Sequence, residues 1–298
     1  MAVPAAMRTL ILGGTGMLGR AVLAAARERG WPVTALSRQQ ADVADQTRLD
    51  HWIDEVRPEV VINCAAFTRV DDCEARRPHA MAVNGEAVGC VARAAARGGA
   101  RLLQVSTDYV FAGERRQQPY REDDPTGPRS AYGESKLLGE ERALAYERSL
   151  VVRTSWLFGD GGPNFVAAIA GQIARGTRPL RVVADQLGAP TYTPFLARAL
   201  LDLAPLAATG VVHYRNQEPV SWYSFAAEIA RRWPGPQGEV EVVPVTTAEF
   251  PRPAPRPAYS VLAVERCEAL LGRAVESWEP GLVEYLSQLV ELRNGRSR

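Results

Sequence analysis

The chain has few of the residues that mark zinc proteins or disulfide-stabilised proteins. Its 298 residues contain only three histidines and four cysteines, and the cysteines form no C-x-x-C pair (Cys64, Cys73, Cys90 and Cys267). We therefore expect neither a structural metal site nor a disulfide framework, and a reducing cytoplasm fits this composition. No apolar run approaches the roughly 20 residues that a membrane-spanning helix needs.

An excess of charge of one sign is also missing. The 35 Lys and Arg residues balance 34 Asp and Glu residues, which gives a net charge of +1 and indicates no bulk attraction to nucleic acid or membrane. The first seven residues lack the charged start and apolar core of a signal peptide. We expect them to form a loose leader, with Met7 as an alternative start.

A strand, a glycine-rich turn and a helix follow one another near the start of the chain. Thr9–Leu12 is an apolar run typical of a strand, and a helix-forming stretch follows it at 21–29. Glycines between them allow a tight turn, a close approach of backbone to a ligand and close packing of helix on strand. The N–H groups that start the helix suit a pyrophosphate. This order predicts a dinucleotide site that includes Gly13, Thr15, Gly16, Met17, Leu18 and Gly19.

Strands and helices continue to alternate through the first half. This alternation predicts a parallel sheet covered on both faces, whose ligands bind beyond the carboxyl ends of the strands. We therefore expect Ala65, Ala66 and Phe67 at the cofactor cleft, and we assign Val105 to it as well. The predicted elements are strands at 33–36, 59–66, 101–106 and 150–153 and helices at 45–57, 78–98 and about 130–148.

The end of the second strand bears on the choice of cofactor. Ser37 and Arg38 stand where dinucleotide folds meet the adenosine ribose. An acid there favours a free 2′-hydroxyl, whereas a basic residue accommodates a 2′-phosphate. Arg38 therefore favours NADPH, with NADH possible; the alternative interpretation is a solvated surface arginine.

The second half of the chain is less regular. We interpret 113–129 as an exposed loop, and 251–257 as a stiff loop because its prolines, two apart, make no P-x-x-P ligand. The predicted domains are a dinucleotide-binding domain of 1–155 plus about 193–214, and a substrate lobe of about 156–192 and 215–298. The predicted elements are helices at 164–175, 193–203 and 222–232, strands at 180–183, 210–214 and 239–243, and two helices after residue 260.

Candidate catalytic residues lie on the predicted helix at 130–148. Tyr132 and Lys136 are four residues apart and share one helix face. A positive charge beside a phenol lowers its pKa from about 10, which suits proton exchange with a carbonyl–alcohol pair. Thr107, at the end of a strand, is placed to hydrogen-bond the same substrate oxygen.

These features resemble the extended short-chain dehydrogenase/reductases. The glycine turn, the Thr107, Tyr132 and Lys136 set and the length carry that resemblance. More specific motifs, spread over about 7–289, resemble the dTDP-4-dehydrorhamnose reductase family within it. They lie at 63–71, 106–111, 132–137, 153–156, 185–191 and 256–262.

The resemblance implies an α/β fold with a Rossmann-type doubly wound parallel sheet and a smaller C-terminal substrate lobe. It implies reduction of the 4-keto group of dTDP-4-dehydro-6-deoxy-L-mannose to dTDP-L-rhamnose, with Tyr132 as proton donor and Lys136 on the nicotinamide ribose. Thr107, Asp108 and Trp156 would contact the sugar. Arg256, with Arg252 as runner-up, would bind the diphosphate of the substrate. Some members use Mg²⁺ at a dimer contact, but no ligands can be assigned in this chain, so Mg²⁺ and the choice between monomer and homodimer stay open. Asp42 and Val43 would lie near the adenine.

Three other functions fit parts of the pattern. Dehydratases of this fold carry Thr-Asp-Glu where this chain has Thr107, Asp108 and Tyr109, which favours simple reduction. A non-catalytic NADP-binding regulatory subunit would not need the complete Thr107, Tyr132 and Lys136 set. A 4-ketoreductase acting on another dTDP-deoxysugar stays open, because sugar stereochemistry depends on pocket shape.

Overall fold

The computed structural model describes residues 6–114, 118–233 and 240–295. The strands are β1 (Thr9–Leu12), β2 (Val33–Leu36), β3 (Val60–Asn63), β4 (Arg101–Thr107), β5 (Ser149–Thr154), β6 (Leu157–Phe158), β7 (Leu180–Val183), β8 (Leu187–Gly188), β9 (Thr191–Tyr192), β10 (Gly210–His213), β11 (Val220–Ser221) and β12 (Val242–Val245). The helices are α1 (Met17–Glu28), α2 (Gln46–Val56), α3 (Val70–Ala75), α4 (Arg77–Ala80), α5 (Ala87–Arg97), α6 (Ala131–Leu144), α7 (Phe165–Ala174), α8 (Thr193–Leu203), α9 (Trp222–Arg232), α10 (Glu265–Leu271) and α11 (Trp278–Gly295).

A parallel sheet of six strands forms the centre, in the order β2-β1-β3-β4-β5-β10. Alternate residues of each strand enter the cores on its two faces: Ile11 packs with α1 and α8, whereas Leu10 and Leu12 pack with α2 and α5. The chain leaves β1 first for β2 and later for β3 on the other side, so the order reverses between β1 and β3. Ligands bind at such a reversal. The predicted fold class, a doubly wound α/β sheet, is confirmed.

Outside this sheet, three two-stranded pairings join residues of the second half: β7 with β12, β8 with β11, and β6 with β9. The strand β10 lies at the edge of the main sheet, and α8 covers α1. These positions are compatible with the predicted division into two domains, which stays a prediction.

Several predicted boundaries differ from the observed ones. The segment predicted as one helix at 78–98 contains α4, a π-helical turn (Met81–Glu86) and α5, and α3 was not predicted. The helix predicted to reach residue 148 ends at Leu144, because the Ser149 hydroxyl donates to the carbonyls of Ala143 and Tyr146. The strand predicted at 239–243 is β12, and residue 239 lies outside the described residues, as do residues 1–5 of the predicted leader.

The loop predicted at 113–129 is not wholly exposed. Tyr120 is buried, stacks on Phe111 with ring centroids 4.3 Å apart, and exchanges backbone hydrogen bonds with Val261 and Ala263. The polar composition of the loop gave no indication that Tyr120 is buried. Residues 115–117 of the loop lie outside the described residues.

Candidate active site

A cavity of about 230 Å³ opens at the carboxyl ends of β1 and β3, where the strand order reverses. Nine residues predicted to bind the cofactor line it: Gly13, Thr15, Gly16, Arg38, Asp42, Val43, Ala65, Ala66 and Phe67. Four further lining residues were not assigned to the cofactor from the sequence: Ala41, Cys64, His79 and Val83.

The glycine-rich turn brings β1 against the β3 end. Gly13 has a φ of +74°, and a Cβ on it would lie 2.7 Å from the Ala65 nitrogen. A Cβ on Gly19 would lie 2.2 Å from the Gly13 carbonyl oxygen, so Gly19 serves close packing of α1 on the turn. The side chain of Leu18 is buried in the core, and Met17 begins α1 outside the cavity lining. A cofactor contact from Met17, Leu18 or Gly19 stays a prediction.

The N-terminus of α1 suits the anion of a dinucleotide. Its N-cap is Gly16, which offers no side-chain hydrogen bond, so the first N–H groups of α1 have no side-chain acceptor there. Four other helices are capped by a side-chain oxygen, from Asp45, Ser130, Asn164 and Ser221. Free N–H groups and the helix dipole together favour a pyrophosphate. The residues of this cavity thus fit a dinucleotide.

Arg38 and Asp42 form one rim of the cavity. The Arg38 Nε lies 3.4 Å from a carboxylate oxygen of Asp42, and the Arg38 side chain is 72% exposed. Asp42 also accepts the Ala44 N–H at 3.0 Å. Ser37 turns its hydroxyl to Gln40 at 2.9 Å and does not line the cavity. Arg38 is therefore free to reorient toward a ligand.

Asn84, in the π-helical turn, holds the cofactor-lining segment against α6. Its side chain accepts the Phe67 N–H at 2.7 Å and donates to the Phe67 carbonyl at 2.9 Å and to the Ser135 hydroxyl at 3.0 Å. His79 lies edge-on to the Phe67 ring, with centroids 5.0 Å apart. Sequence reasoning missed Asn84 because its partners lie 17 and 51 residues away.

The structure brings Thr107 and Tyr132 together. Thr107 ends β4 and Tyr132 lies in the first turn of α6, where Ser130 caps the Gly133 N–H at 3.1 Å. A Cβ on Gly133 would lie 2.3 Å from the Tyr109 carbonyl oxygen, so glycine lets the helix reach the strand end. The neighbouring Thr107 hydroxyl lowers the pKa of the Tyr132 phenol, but burial dominates and raises that pKa well above its usual range.

Lys136 lies one helical turn after Tyr132 and is held by β4. Its ammonium donates to the Val105 carbonyl at 2.7 Å, and burial lowers its pKa to about 8 against the opposing charge of Glu140. Burial dominates the pKa of Tyr132, and the effect of Lys136 on that phenol stays a prediction. Val105 contributes that carbonyl and does not line the cavity.

Asp108 is buried beside the Thr107–Tyr132 pair. It accepts the Thr107 hydroxyl at 3.0 Å. Burial raises the pKa of its carboxyl to about 6, opposed by hydrogen bonds with Ser260 and Thr107. Ser260 belongs to the segment after the proline loop, so that segment closes over the strand end.

The remaining predicted substrate residues lie on segments around this centre. Trp156 has a φ of +46° and stacks on Trp222, while a Cβ on Gly188 would lie 2.4 Å from its indole. Arg256 lines a second cavity, of about 190 Å³, and pairs with Asp71 at 2.9 Å. Arg252, the runner-up, lies over the Phe250 ring and does not line that cavity.

Residues 7–291 match the family model for the RmlD substrate binding domain. The chain belongs to this family. It is 42% identical to the dTDP-4-dehydrorhamnose reductase of Streptomyces griseus, over 95% of this chain and 94% of that protein. It is 39% identical to a probable dTDP-4,6-dihydroxy-2-methyloxan-3-one 4-ketoreductase of Streptomyces antibioticus, over 98% of this chain and 99% of that protein. A crystal structure of dTDP-4-dehydrorhamnose reductase from Bacillus anthracis in complex with NADP matches with a TM-score of 0.88 at 33% identity, covering 95% of this chain and 99% of that one.

The described residues contain neither a metal-binding cluster nor a membrane-spanning helix. No group of three or more His, Cys, Asp or Glu side chains among them is arranged to hold a metal ion. Within the same ranges, no helix has both the length and the apolar character to cross a membrane.

Proposed function

We propose that the protein reduces the 4-keto group of dTDP-4-dehydro-6-deoxy-L-mannose with NADPH, giving dTDP-L-rhamnose. The observation that carries this proposal is the proximity of Thr107 and Tyr132 at the end of β4, beside a glycine-rich turn, in a chain 42% identical to a dTDP-4-dehydrorhamnose reductase. The complete Thr107, Tyr132 and Lys136 set also favours an enzyme over a regulatory subunit that only binds cofactor.

Tyr132 suits reduction because its phenol carries a proton. At neutral pH the phenol is protonated, so it can give its proton to the oxygen that gains negative charge when a ketone becomes an alcohol. Thr107 orients the same oxygen through its hydroxyl. A bound nicotinamide supplies the hydride. Lys136 donates to the Val105 carbonyl, and its two remaining N–H donors would bind the nicotinamide ribose.

NADPH is the proposed cofactor. Arg38 at the cavity rim is exposed and able to meet a 2′-phosphate, and its pairing with Asp42 is a weak surface contact. The Bacillus anthracis relative binds NADP. The residues proposed to line the bound cofactor are those of the cavity at β1 and β3, with backbone contacts from Met17, Leu18 and Gly19.

The substrate would lie between the sheet and the second lobe. Arg256 offers a partly buried positive charge for the diphosphate, and Trp156 offers an indole for the sugar. The proposed lobes are 1–155 with about 193–214, and about 156–192 with 215–298. The unpaired Cys64, Cys73, Cys90 and Cys267 support a location in the cytoplasm.

A 4-ketoreductase for a related dTDP-deoxysugar is the second candidate. The 39% identity to the Streptomyces antibioticus protein, over nearly the whole of both chains, favours it specifically. The two candidates share the Tyr132 chemistry and differ in the stereochemistry that the sugar pocket accepts.

Product identification separates these functions. Purified protein is incubated with NADPH and the dTDP-keto sugar, NADPH oxidation is followed at 340 nm, and the product is identified by NMR. We expect dTDP-L-rhamnose. Turnover with a different C4 configuration would support the second candidate, and cofactor binding without turnover would support a regulatory subunit.

A further inference from the structure

A cleft of about 640 Å³ lies at the edge of the sheet opposite to Tyr132. Its walls come from the segments that precede β1, β3, β4, β5 and β10, so it sits at the amino ends of the strands. It shares no lining residue with the two cavities of the candidate active site. We call it the arginine cleft because it is lined by Arg8, Arg57, Arg101 and Arg148.

The charge of the arginine cleft is not balanced by the chain. Glu59 is the single carboxylate that lines it in the described ranges, and a carboxylate oxygen of Glu59 accepts the backbone N–H of Arg8 at 2.8 Å. Three guanidinium groups donate to backbone carbonyls, from Arg8 to Arg57 at 3.0 Å, from Arg101 to Ala208 and from Arg148 to Gly99, and Arg148 also interacts with the Tyr146 phenol. Among the described residues none of the four arginines forms an ion pair with a carboxylate, whereas the buried Arg153 pairs with Glu140.

Arg101 is the least exposed of the four arginines. It is only 7% exposed, and its Nε has no hydrogen-bond partner among the residues that the structure describes. Burial lowers the pKa of its guanidinium, and the like charge of Arg148 lowers it further. A buried, partly satisfied cation beside a second cation is costly unless an anion reaches both.

A purely structural role explains part of this arrangement. Cations near helix C-termini neutralise the last carbonyls, and α2 and α5 both end at this cleft. That role accounts for the hydrogen bond from Arg148 to the Gly99 carbonyl. It does not require four guanidinium groups to line one cavity. Guanidinium groups bind phosphate oxygens bidentately, and the cavity has room for more than one phosphate.

We propose that the arginine cleft binds the phosphate groups of a small polyanion, with inorganic pyrophosphate as its simplest form. The lining residues include no aromatic side chain in the described part of the chain, so the cleft offers no face on which a nucleobase would stack. The recognised chemistry is therefore the diphosphate itself. The site is independent of the cofactor cavity and of the proposed reaction.

The test is calorimetric titration of pyrophosphate into the full-length protein saturated with NADPH, at low ionic strength. Arg57→Asn combined with Arg148→Gln should weaken binding at least tenfold; asparagine is chosen because residue 57 has a φ of +46°. Glu59→Gln should tighten binding several-fold, since it removes the nearby negative charge and keeps an acceptor for the Arg8 N–H. A loss of folding cannot imitate that gain.

Arg231→Gln is the matched control, because Arg231 is exposed on α9 and outside the cleft; it should bind pyrophosphate as the unsubstituted protein does. The proposal would be overturned if the double variant and Glu59→Gln both bound pyrophosphate with the affinity of the unsubstituted protein. It would also be overturned if the NADPH-saturated protein bound no pyrophosphate. ADP should bind no more tightly than pyrophosphate. Tighter binding of ADP would overturn the assignment to the diphosphate alone.

Discussion

The indole rings of Trp156 and Trp222 are stacked face to face, with centroids 3.4 Å apart and planes 5° apart. Gly188 lies against the Trp156 indole, so the ring is held in a narrow slot. The backbone of Trp156 is left-handed, a conformation that costs a bulky residue about 1–3 kcal/mol. The stack with Trp222 helps to offset that cost and fixes the indole that we propose contacts the sugar.

Removal of the stack tests this relationship. Trp222→Ala should raise KM for the keto sugar by up to about tenfold with a smaller change in kcat, because an aromatic pair contributes about 0.5–1.5 kcal/mol. Steady-state kinetics measure both constants. Trp222→Phe keeps an aromatic face and should restore most of the affinity; an unchanged KM in the alanine variant would mean that Trp156 holds its position alone.

Tyr132→Phe removes only the proposed proton donor. Turnover should fall by roughly 10²–10⁴, the usual contribution of a positioned acid, while NADPH binding and folding persist. Single-turnover kinetics and fluorescence titration measure the two effects. Tyr146→Phe is the control, because Tyr146 donates to the Ala100 carbonyl beyond the end of α6. Full activity in Tyr132→Phe would assign the proton to another group.

Arg256→Ala tests the diphosphate contact. We expect KM to rise roughly 10–100-fold with kcat less affected, because a charged hydrogen bond contributes about 1.5–3 kcal/mol and is present in both ground and transition states. Arg252→Ala is the matched control, since Arg252 stacks on Phe250 outside the cavity. If the two variants gave equal KM values, Arg256 would not belong to the site and its pairing with Asp71 would be only structural.

Arg38→Ala tests cofactor choice. It should weaken NADPH and leave NADH and kcat unchanged, because only the 2′-phosphate lies within reach of the side chain. Dissociation constants for the two cofactors, measured by fluorescence, give the ratio. Asp42→Asn removes the surface partner of Arg38 and is expected to preserve NADPH binding. An equal loss of both cofactors would make Arg38 a residue without a role in selection.

His213 should make stability depend on pH. Burial, and then the charge of Arg153, lowers the pKa of His213 to about 3, against about 6.5 in an unfolded chain. Between these pH values the unfolded chain binds a proton at His213 that the folded protein does not. The contribution of neutral His213 to the free energy of unfolding is therefore fully present above pH 6.5 and is lost as the pH falls. The contribution of His213 to the slope of the unfolding free energy against pH approaches about 1.4 kcal/mol per pH unit.

Urea unfolding of His213→Gln measures this term. The variant should show a shallower loss of stability between pH 6.5 and 4 than the unsubstituted protein. His51→Gln, at an exposed position, is the control and should keep the original slope. Identical slopes for His213→Gln and the unsubstituted protein would assign the pH dependence to other groups.

The sequence alone determined the sheet and the glycine-rich turn, and it placed the candidate catalytic residues Tyr132 and Lys136 on one helix. All four residues of Thr9–Leu12 are buried, and in Leu180–Val183 buried residues alternate with more exposed ones. Such local apolar patterns are enough to predict a strand. Gly13 and Gly19 follow from the geometry of one turn. Tyr132 and Lys136 share a helix face because helical spacing is also local.

The tertiary structure decided which groups these residues contact. Lys136 meets the Val105 carbonyl, 31 residues away, and burial of Tyr132 raises the pKa of its phenol. Arg256 pairs with Asp71 across 185 residues, and Trp156 finds Trp222. Such contacts leave no periodic signal in the chain, because they depend on where the sheet and the second lobe bring distant segments together. Burial and long-range pairing, which set the pKa values and the charge of the site, exist only once the fold has formed.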